Sequence, residues 1–494
     1  MSYLGIDLGT TGCKTVLFDE RGTELAFAYR EYTIVTDERG HAELDSRRVW
    51  NHVKNMIREC AAQAEGVIDA VSVSSLGEAM VPVSEGRESL GNSLLNFDSR
   101  GGEYLDDFRK LISDTDLYRI NGNVSGPNYA LSRFLWYLNK HRALYDKTYK
   151  FLLWGSYILF MLGADPVIDY SLANRTLLLD IKTKRWNSQL IERLGLDALK
   201  LPELAEAGSL CGRMSVSLTE ELGLQSPPLL VVGTHDQCSN AVGCGVLNKG
   251  TAMYGMGTFH CIVSVFEQRP RTSEMLTRGL NTEHHAVPGR WVSFIYNQGG
   301  ILLKWFRDTF APDSAGGVDL FRRLLDEMPE GPSPVSVLPH FTTTGTPGFI
   351  DKTSGLIAGL TIDTSRGDIC KGVLEGIAFY LKENLDNLPE GMIIDEFTAV
   401  GGGSRSDLWM QLTADILGRP CMRTQEAEAG ALGAAILAAC GAGYYNSITE
   451  AVEQMVSFGE VFRPAAGCDR YLENYMRYKE IAPRFGDFLS QFKK

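Results

Sequence analysis

The sequence predicts an α/β protein of two domains built on one repeated plan. Three observations predict it. A strand–Gly/Thr turn–strand unit opens the chain at residues 5–19, and the same unit returns at residues 250–264. The third is length, since 494 residues exceed the roughly 250–300 that one hydrophobic core encloses. Self-similarity at about half the chain length divides it into predicted domains 1–245 and 246–494, with residues 243–249 as the linker.

The first unit contains Gly5-Ile6-Asp7-Leu8-Gly9-Thr10-Thr11-Gly12-Cys13-Lys14, with apolar strands expected over residues 3–8 and 14–18. Glycine admits positive φ and close backbone approach. The amides and hydroxyls of Gly9, Thr10, Thr11 and Gly12 can therefore cradle an anion. Asp7 stands where the first strand runs out into that turn. A carboxylate beside a phosphate cradle repels the phosphate unless a hard cation such as Mg²⁺ lies between them. The motif lacks both the GK[ST] ending of a P-loop and the Rossmann glycine spacing. A tight hairpin whose glycines serve only the turn is the competing reading of this segment taken alone. Lys14 can reach a phosphate but lies within a strand, so a solvated lysine is the expectation.

The second unit, Gly250-Thr251-Ala252-Met253-Tyr254-Gly255-Met256-Gly257-Thr258-Phe259, repeats the plan. A third glycine run, Gly401-Gly402-Gly403-Ser404, follows a strand at 397–400 and precedes a helix expected at 406–417. Bare backbone at a helix N-terminus suits a phosphate or the flat face of a base. Between the hairpins, an apolar strand ending at Gly233 leads through Thr234-His235-Asp236-Gln237 into a helix expected at 237–242. Open α/β sheets bind ligands at the strand carboxyl ends. A carboxylate there can take the proton of an attacking hydroxyl, or it can simply cap the helix. Spacing alone divides these two readings of Asp236 evenly.

Composition narrows the class. With 44% hydrophobic and 22% charged residues the chain reads as an ordinary globular protein. Its net charge of −13 argues against nucleic acid or an acidic membrane as partner. Ten cysteines without a CxxC pair fit a reducing compartment, so a cytoplasmic location is expected, with most of them buried as small hydrophobes. Gly5 already belongs to the first strand, so no signal peptide is expected. Residues 151–162 read as a core helix too short to span a bilayer. Residues 329–339 read as an ordered Pro-rich loop, and 470–494 as an amphipathic helix docking on the second domain.

Taken in order, five segments resemble the FGGY carbohydrate kinases, members of the superfamily of actin, sugar kinases and heat-shock ATPases. They are GIDLGTTGCKTVLFD, GTHDQCSNAVGCG, GTAMYGMGTF, VGGGSRSDLWMQLTADILGRP and EAGALGAAILAA. The family's second signature is nearly intact around Gly355–Leu360, with Asp368, Leu374 and Glu375 at the expected spacing and Gly372 where Ala or Ser is usual. The first signature is weaker, because Arg133 replaces the usual Lys before Phe134-Leu135-Trp136. The resemblance spans residues 5–439 and implies two actin-like, ribonuclease H-like ATPase domains with a nucleotide and sugar cleft between them. It implies MgATP as phosphoryl donor and Asp236 as the general base. Thr10, Thr11, Gly257 and Thr258 would grip the phosphates, with Asp7 holding Mg²⁺ through water. Gly402, Gly403 and Asp407 would form the adenosine shelf, and Gly300 and Lys304 a further nucleotide contact. Domain closure would then assemble the site and exclude water.

The resemblance also suggests a sugar pocket, with mixed signals. Glu78 falls where glycerol kinases have a hydroxyl-binding Glu and xylulokinases a His, and Gly77 replaces the Arg of the glycerol pattern. The Asp236-Gln237 pair follows glycerol kinases, whereas Pro127-Asn128-Tyr129 follows xylulokinases. Asp98 and Arg100 also match the xylulokinase group, although Asn96 replaces its Trp. Carboxylates and amides suit vicinal hydroxyls; an exposed loop carboxylate is the alternative for Glu78. The expected activity is transfer to a primary hydroxyl of a small ketose such as xylulose. A glycerol- or erythritol-type polyol, a signalling furanose, a partner-driven ATPase switch and a sugar-binding protein without catalysis are the competing readings. His284-His285 beside Glu283, and His235 with Cys238, complete no zinc set, so no structural metal is expected. A homodimer is the assembly left open.

Overall fold

The computed structural model describes residues 1–64, 66–311, 318–342, 344–347, 350 and 352–492. Two compact units divide the chain. The first comprises Met1–Leu247, Thr282–Val292 and Glu428–Ser457; the second comprises Asn248–Asn281, Ser293–Ala427 and Phe458–Lys494. Two stretches of the predicted second domain, Thr282–Val292 and Glu428–Ser457, thus group with the first unit.

The first unit is organised on a sheet of β1 (Ser2–Leu8), β2 (Gly12–Asp19), β3 (Glu24–Glu31), β4 (Ala70–Ser75), β5 (Leu210–Arg213) and β6 (Leu229–His235). Its order is β5-β6-β4-β1-β2-β3. β1, β2 and β3 form an antiparallel meander, β4 lies parallel to β1, and β6 lies parallel to β4. The largely apolar runs 3–6 and 229–232 form strands buried on both faces and need no alternation, whereas the edge strand β3 alternates buried and exposed residues. β6 continues past the predicted end at Gly233 to His235, with its register to β4 shifting between Val231 and Thr234. Glycine is required at that irregularity, because a Cβ on Gly233 would fall on the Val73 carbonyl.

One cover is the helix Ala429–Gly441, whose sequence AGALGAAILAACG is buried almost throughout. Its small residues let backbone approach backbone. A Cβ on Gly5 of β1 would meet the Ala431 carbonyl, and one on Gly433 would meet the Ser239 carbonyl in the helix Asp236–Gly243. A smaller sheet in this unit holds the strands Met80–Val83, Ser93–Leu94 and Lys150–Leu153. The segment 151–162, predicted as one helix, therefore opens as a strand pairing with Met80–Val83 and becomes helical only from Trp154 to Leu162. Phe151 and Leu152 take cross-strand partners that the local apolar run gives no hint of.

The second unit repeats the order of the first four strands and again ends on an antiparallel edge strand, which here follows its neighbour in the chain instead of preceding it. β7 (Gly250–Met256), β8 (Phe259–Phe266), β9 (Trp291–Gln298), β10 (Ile394–Val400), β11 (Cys421–Thr424) and β12 (Phe458–Phe462) are ordered β9-β8-β7-β10-β11-β12. β7 and β8 are antiparallel, β10 is parallel to β7, and β11 is parallel to β10. The helix Arg366–Asp386 carries a Ser365–Asp368 capping box, and the tail forms the helix Leu472–Leu489. The Pro-rich passage contains a short strand, Ser336–Leu338, paired with Leu356–Ala358. Among the described residues the cysteines are free thiols, and no helix is long and apolar enough to cross a membrane.

Candidate active site

The β1–β2 hairpin closes through the Gly9 amide donating to the Gly12 carbonyl at 3.0 Å, leaving Thr11 exposed at the tip. Asp7 lies opposite Lys14 on β2 and beside Ser74 on β4, whose hydroxyl donates to Asp7 Oδ1 at 2.7 Å. Burial pushes the Asp7 carboxyl up to about 6; the Ser74 bond opposes this, while repulsion from Asp236 and Glu428 adds to it. Lys14 is not the solvated lysine expected, since its ammonium pairs with Glu428, which leads into the helix Ala429–Gly441. Gly430 is crowded by the same carboxylate, because a Cβ there would come 2.7 Å from Asp7 Oδ2.

At the end of β4 the chain turns through Gly77 and Glu78. Glu78 adopts φ 64°, a left-handed conformation that non-glycine residues rarely take. It is not an exposed loop carboxylate. The side chain is buried and its Oε1 accepts from Arg175 Nε at 2.7 Å and also from Nη2. Arg175 Nη1 donates to Glu283 Oε2 at 3.3 Å, and its guanidinium lies 4.9 Å from the Tyr129 ring centroid. Glu283 Oε1 in turn lies 2.8 Å from His235 Nδ1, and His235 Nε2 lies 3.3 Å from Asp236 Oδ1. Asp236 is therefore joined to Glu78 through a chain of buried charges of alternating sign.

Asp236 is the first residue of its helix; His235 occupies the cap position without a side-chain cap bond, and Asp236 does not cap. Burial raises the Asp236 carboxyl above its ordinary value, the His235 imidazolium opposes the rise, and Glu78 adds to it. For His235, burial favours the neutral ring, but Glu283 and Asp236 outweigh it and push the imidazole up to about 9. His235, Cys238 and Glu283 bring three potential metal-ligand atoms within 4.8 Å of one another. Glu283 is already engaged by Arg175 and His235, and a cation there would sit beside a guanidinium.

Asp98 is drawn into a different arrangement. Burial opposes its charge, but Arg100 and the Ala42 amide outweigh burial and hold the carboxyl below its ordinary value. Its oxygens accept from Ala42 N at 2.7 Å and from Arg100 N and Nε at 2.9 and 2.8 Å. Arg133 ties this loop to the segment carrying Asn128: its guanidinium donates to the carbonyls of Leu95, Asp98, Pro127 and Tyr129. Asn128 and Gln237 are half-buried.

In the second unit the structure gathers the remaining predicted residues except two. The amides of Gly300 and Ile301, opening the helix Gly300–Phe310, donate at 2.9 Å to the carbonyls of Gly257 and Thr258. A Cβ on Gly401 would come 3.1 Å from the Met256 carbonyl, so the glycine run seats against the same hairpin. Thr258 is exposed, and a Cβ on Gly402 would meet open space. Just before Gly299, the buried amide of Asn297 and Oε1 of Gln298 find no partner among the described residues. Lys304 is exposed on its helix, and Asp407 pairs with Arg423 at 2.6 Å.

Arg175 and Glu283 were missed by the sequence reading. Arg175 stands before the apolar run Leu177-Leu178-Leu179, a signal of a buried cation that must find carboxylates. In the sequence, Glu283 and His235 stand near histidine and cysteine and carry only the signal of metal ligands.

The chain matches the N-terminal domain of the FGGY family of carbohydrate kinases over residues 2–243 and the C-terminal domain over residues 252–442. It is 27% identical to the xylulose kinase of Bacillus subtilis, over all of both chains. It is also 27% identical to the autoinducer-2 kinase of Salmonella paratyphi B, covering 98% of this chain and 93% of that protein. The crystal structure of ligand-bound xylulose kinase from Lactobacillus acidophilus superposes with a TM-score of 0.89 at 24% identity, covering 100% of each chain. The two matches together cover most of the chain and include the β6–helix junction that carries Asp236, so the chain belongs to the FGGY family of carbohydrate kinases.

Proposed function

We propose that this kinase transfers the γ-phosphoryl group of ATP to a primary hydroxyl of a small ketose such as xylulose, with Asp236 as general base. The observation that carries the reading is the placement of Asp236. It stands at the carboxyl end of β6, half-buried, with His235 on one side and the carboxylates of Glu78 and Asp7 near enough to raise its own or be raised by it. The substrate hydroxyl gives its proton to Asp236 as its oxygen bonds to the γ-phosphorus and the bond to the ADP oxygen breaks. Glu78, held by Arg175, accepts hydrogen bonds from sugar hydroxyls, with Gly77, Asn128, Gln237 and the Asp98 loop completing the pocket. Thr10 and Thr11 contact phosphate in one unit; Gly257, Thr258, Gly300 and Lys304 do so in the other, where Gly402, Gly403 and Asp407 receive adenosine.

A hard divalent cation fits Asp7, an oxygen donor close to Asp236 and Glu428 whose one nearby lysine is already paired. Bound Mg²⁺ supplies charge neutralisation at the phosphate oxygens. Asp7 would hold it through water, and Ser74 fixes the carboxylate's orientation.

A polyol is the second reading, favoured by Gln237 directly after Asp236 and by the buried carboxylate of Glu78. ADP release with MgATP across ketoses, aldoses and polyols, beside Asp236→Ala, tests both. The expected result is a ketose-dependent rate that falls about 10²–10⁴-fold in Asp236→Ala. A rate indifferent to every sugar, or surviving the substitution, would remove the assignment and favour an ATPase switch.

A further inference from the structure

Glu283 is a fully buried carboxylate that the reaction as written does not use. It sits on a two-residue strand, Glu283–His284, paired with Val292 and Trp291, in a stretch that groups with the first unit. Its two oxygens are divided between two cations, His235 Nδ1 at 2.8 Å and Arg175 Nη1 at 3.3 Å. With one ring nitrogen committed to Glu283, the other is turned to Asp236 Oδ1 at 3.3 Å. The backbone makes room for this ring. A Cβ on Gly77 would come 3.2 Å from His235 Nε2 and 3.0 Å from Arg175 Cγ, and the His235 amide is itself anchored on Ser171 Oγ at 2.9 Å.

We propose that His235, oriented by Glu283, is a positioning residue that presents an imidazolium to Asp236 and so keeps the base ionised and aimed within a buried site. The inference rests on the reading of Asp236 as the base. The groups facing the ring are Asp236 from its own helix, Glu283 from the short strand and Arg175 from the segment after the helix Tyr170–Asn174. Glu78 lies beyond Arg175, and Cys238 and Asp169 lie close to the same cluster. Two carboxylates against one guanidinium make the protonated ring the stable form. That charge then favours the carboxylate form of Asp236 against burial and against Glu78. A neutral ring would withdraw this support, and the base would stay protonated to higher pH. Arg175 gives the network its second role, since it ties the residue proposed to hold the sugar, Glu78, to the residue that orients the base.

The test uses the full chain with isotope-labelled histidine, followed by NMR across pH, with His235→Asn identifying the His235 signal. The expected midpoint lies near pH 9, falling back toward the ordinary 6.5 in Glu283→Gln. This readout needs no turnover. In kinetics with the sugar that supports turnover, the acid limb of kcat/KM moves to higher pH in His235→Asn, which carries no imidazolium at any pH. In the same variant kcat falls by up to about a hundredfold while the sugar KM changes little. A His235 signal titrating at or below 6.5 in the wild-type protein overturns the proposal whatever the activity. So does an unmoved acid limb in a folded His235→Asn protein whose Asp236→Ala counterpart is dead. An active Asp236→Ala protein would instead remove the base assignment, leaving the NMR midpoint to report on the ion network by itself.

Discussion

Glu78 shows how a single residue can be over-determined. Its φ of 64° costs about 1–3 kcal/mol in a non-glycine residue. The conformation persists because the guanidinium of Arg175, itself held by Glu283 and the face of Tyr129, gives the buried carboxylate a fixed partner. Glu78→Gln keeps the shape and removes the charge, leaving Arg175 with Glu283 alone. The expected loss is about 1–3 kcal/mol of stability, read from urea unfolding, together with a raised sugar KM. A variant with wild-type stability and KM would show that the ion pair carries neither load. The positions of Asp7 and Asp236 near strand ends were legible in the sequence, whereas the roles proposed for them come from the family resemblance. The partners of Glu78 were not, because Arg175 stands 97 residues away and Glu283 a further 108. The apolar run after Arg175 hints that its charge is buried, but which carboxylates it meets over such separations leaves no local pattern.

At the scale of elements, the glycine turns were readable and the order of the four strands around them is realised twice, as β3-β2-β1-β4 and β9-β8-β7-β10, while the outer pair follows as β6-β5 in one unit and β11-β12 in the other. The helix Ala429–Gly441 was less so. A segment apolar on every face carries no periodic stripe, and composition alone says only that it is buried. Its small residues acquire their meaning from contact: Gly433 faces the Ser239 carbonyl, and Gly243 faces that of Ala429. Gly433→Ala forces the helices Asp236–Gly243 and Ala429–Gly441 apart, with an expected cost of about 1–3 kcal/mol. The same shift moves Asp236 and Gly430 relative to Asp7, so kcat should fall along with the thermal midpoint. Alanine tolerated with no change in either would show that these helices are not in the backbone contact described. The segment 151–162 failed as a single helix for a related reason, since a strand partner overrode a locally ambiguous apolar run.

For the whole molecule, length and the repeated hairpin pointed to two units, and two units are present. The Gly-rich passage 243–249 suggests a boundary at 245/246, and the first unit's opening stretch ends at Leu247. Sequence could not foresee that Thr282–Val292 and Glu428–Ser457 return to the first unit, because such returns are fixed by long-range packing. Those returns build the candidate site: the first brings Glu283 to His235, and the second brings Glu428 to Lys14 and Gly430 to Asp7. Every member of the charge chain from Glu78 to Asp236 therefore belongs to one unit, although it is drawn from four separate stretches of sequence. The measurement that bears most directly on the proposed activity is the amount of phosphorylated sugar formed per ADP released, in wild-type protein and in Asp236→Ala. Stoichiometric transfer to a ketose, lost in the variant, is the predicted result; ADP released without phosphorylated sugar, or transfer surviving in Asp236→Ala, would contradict it.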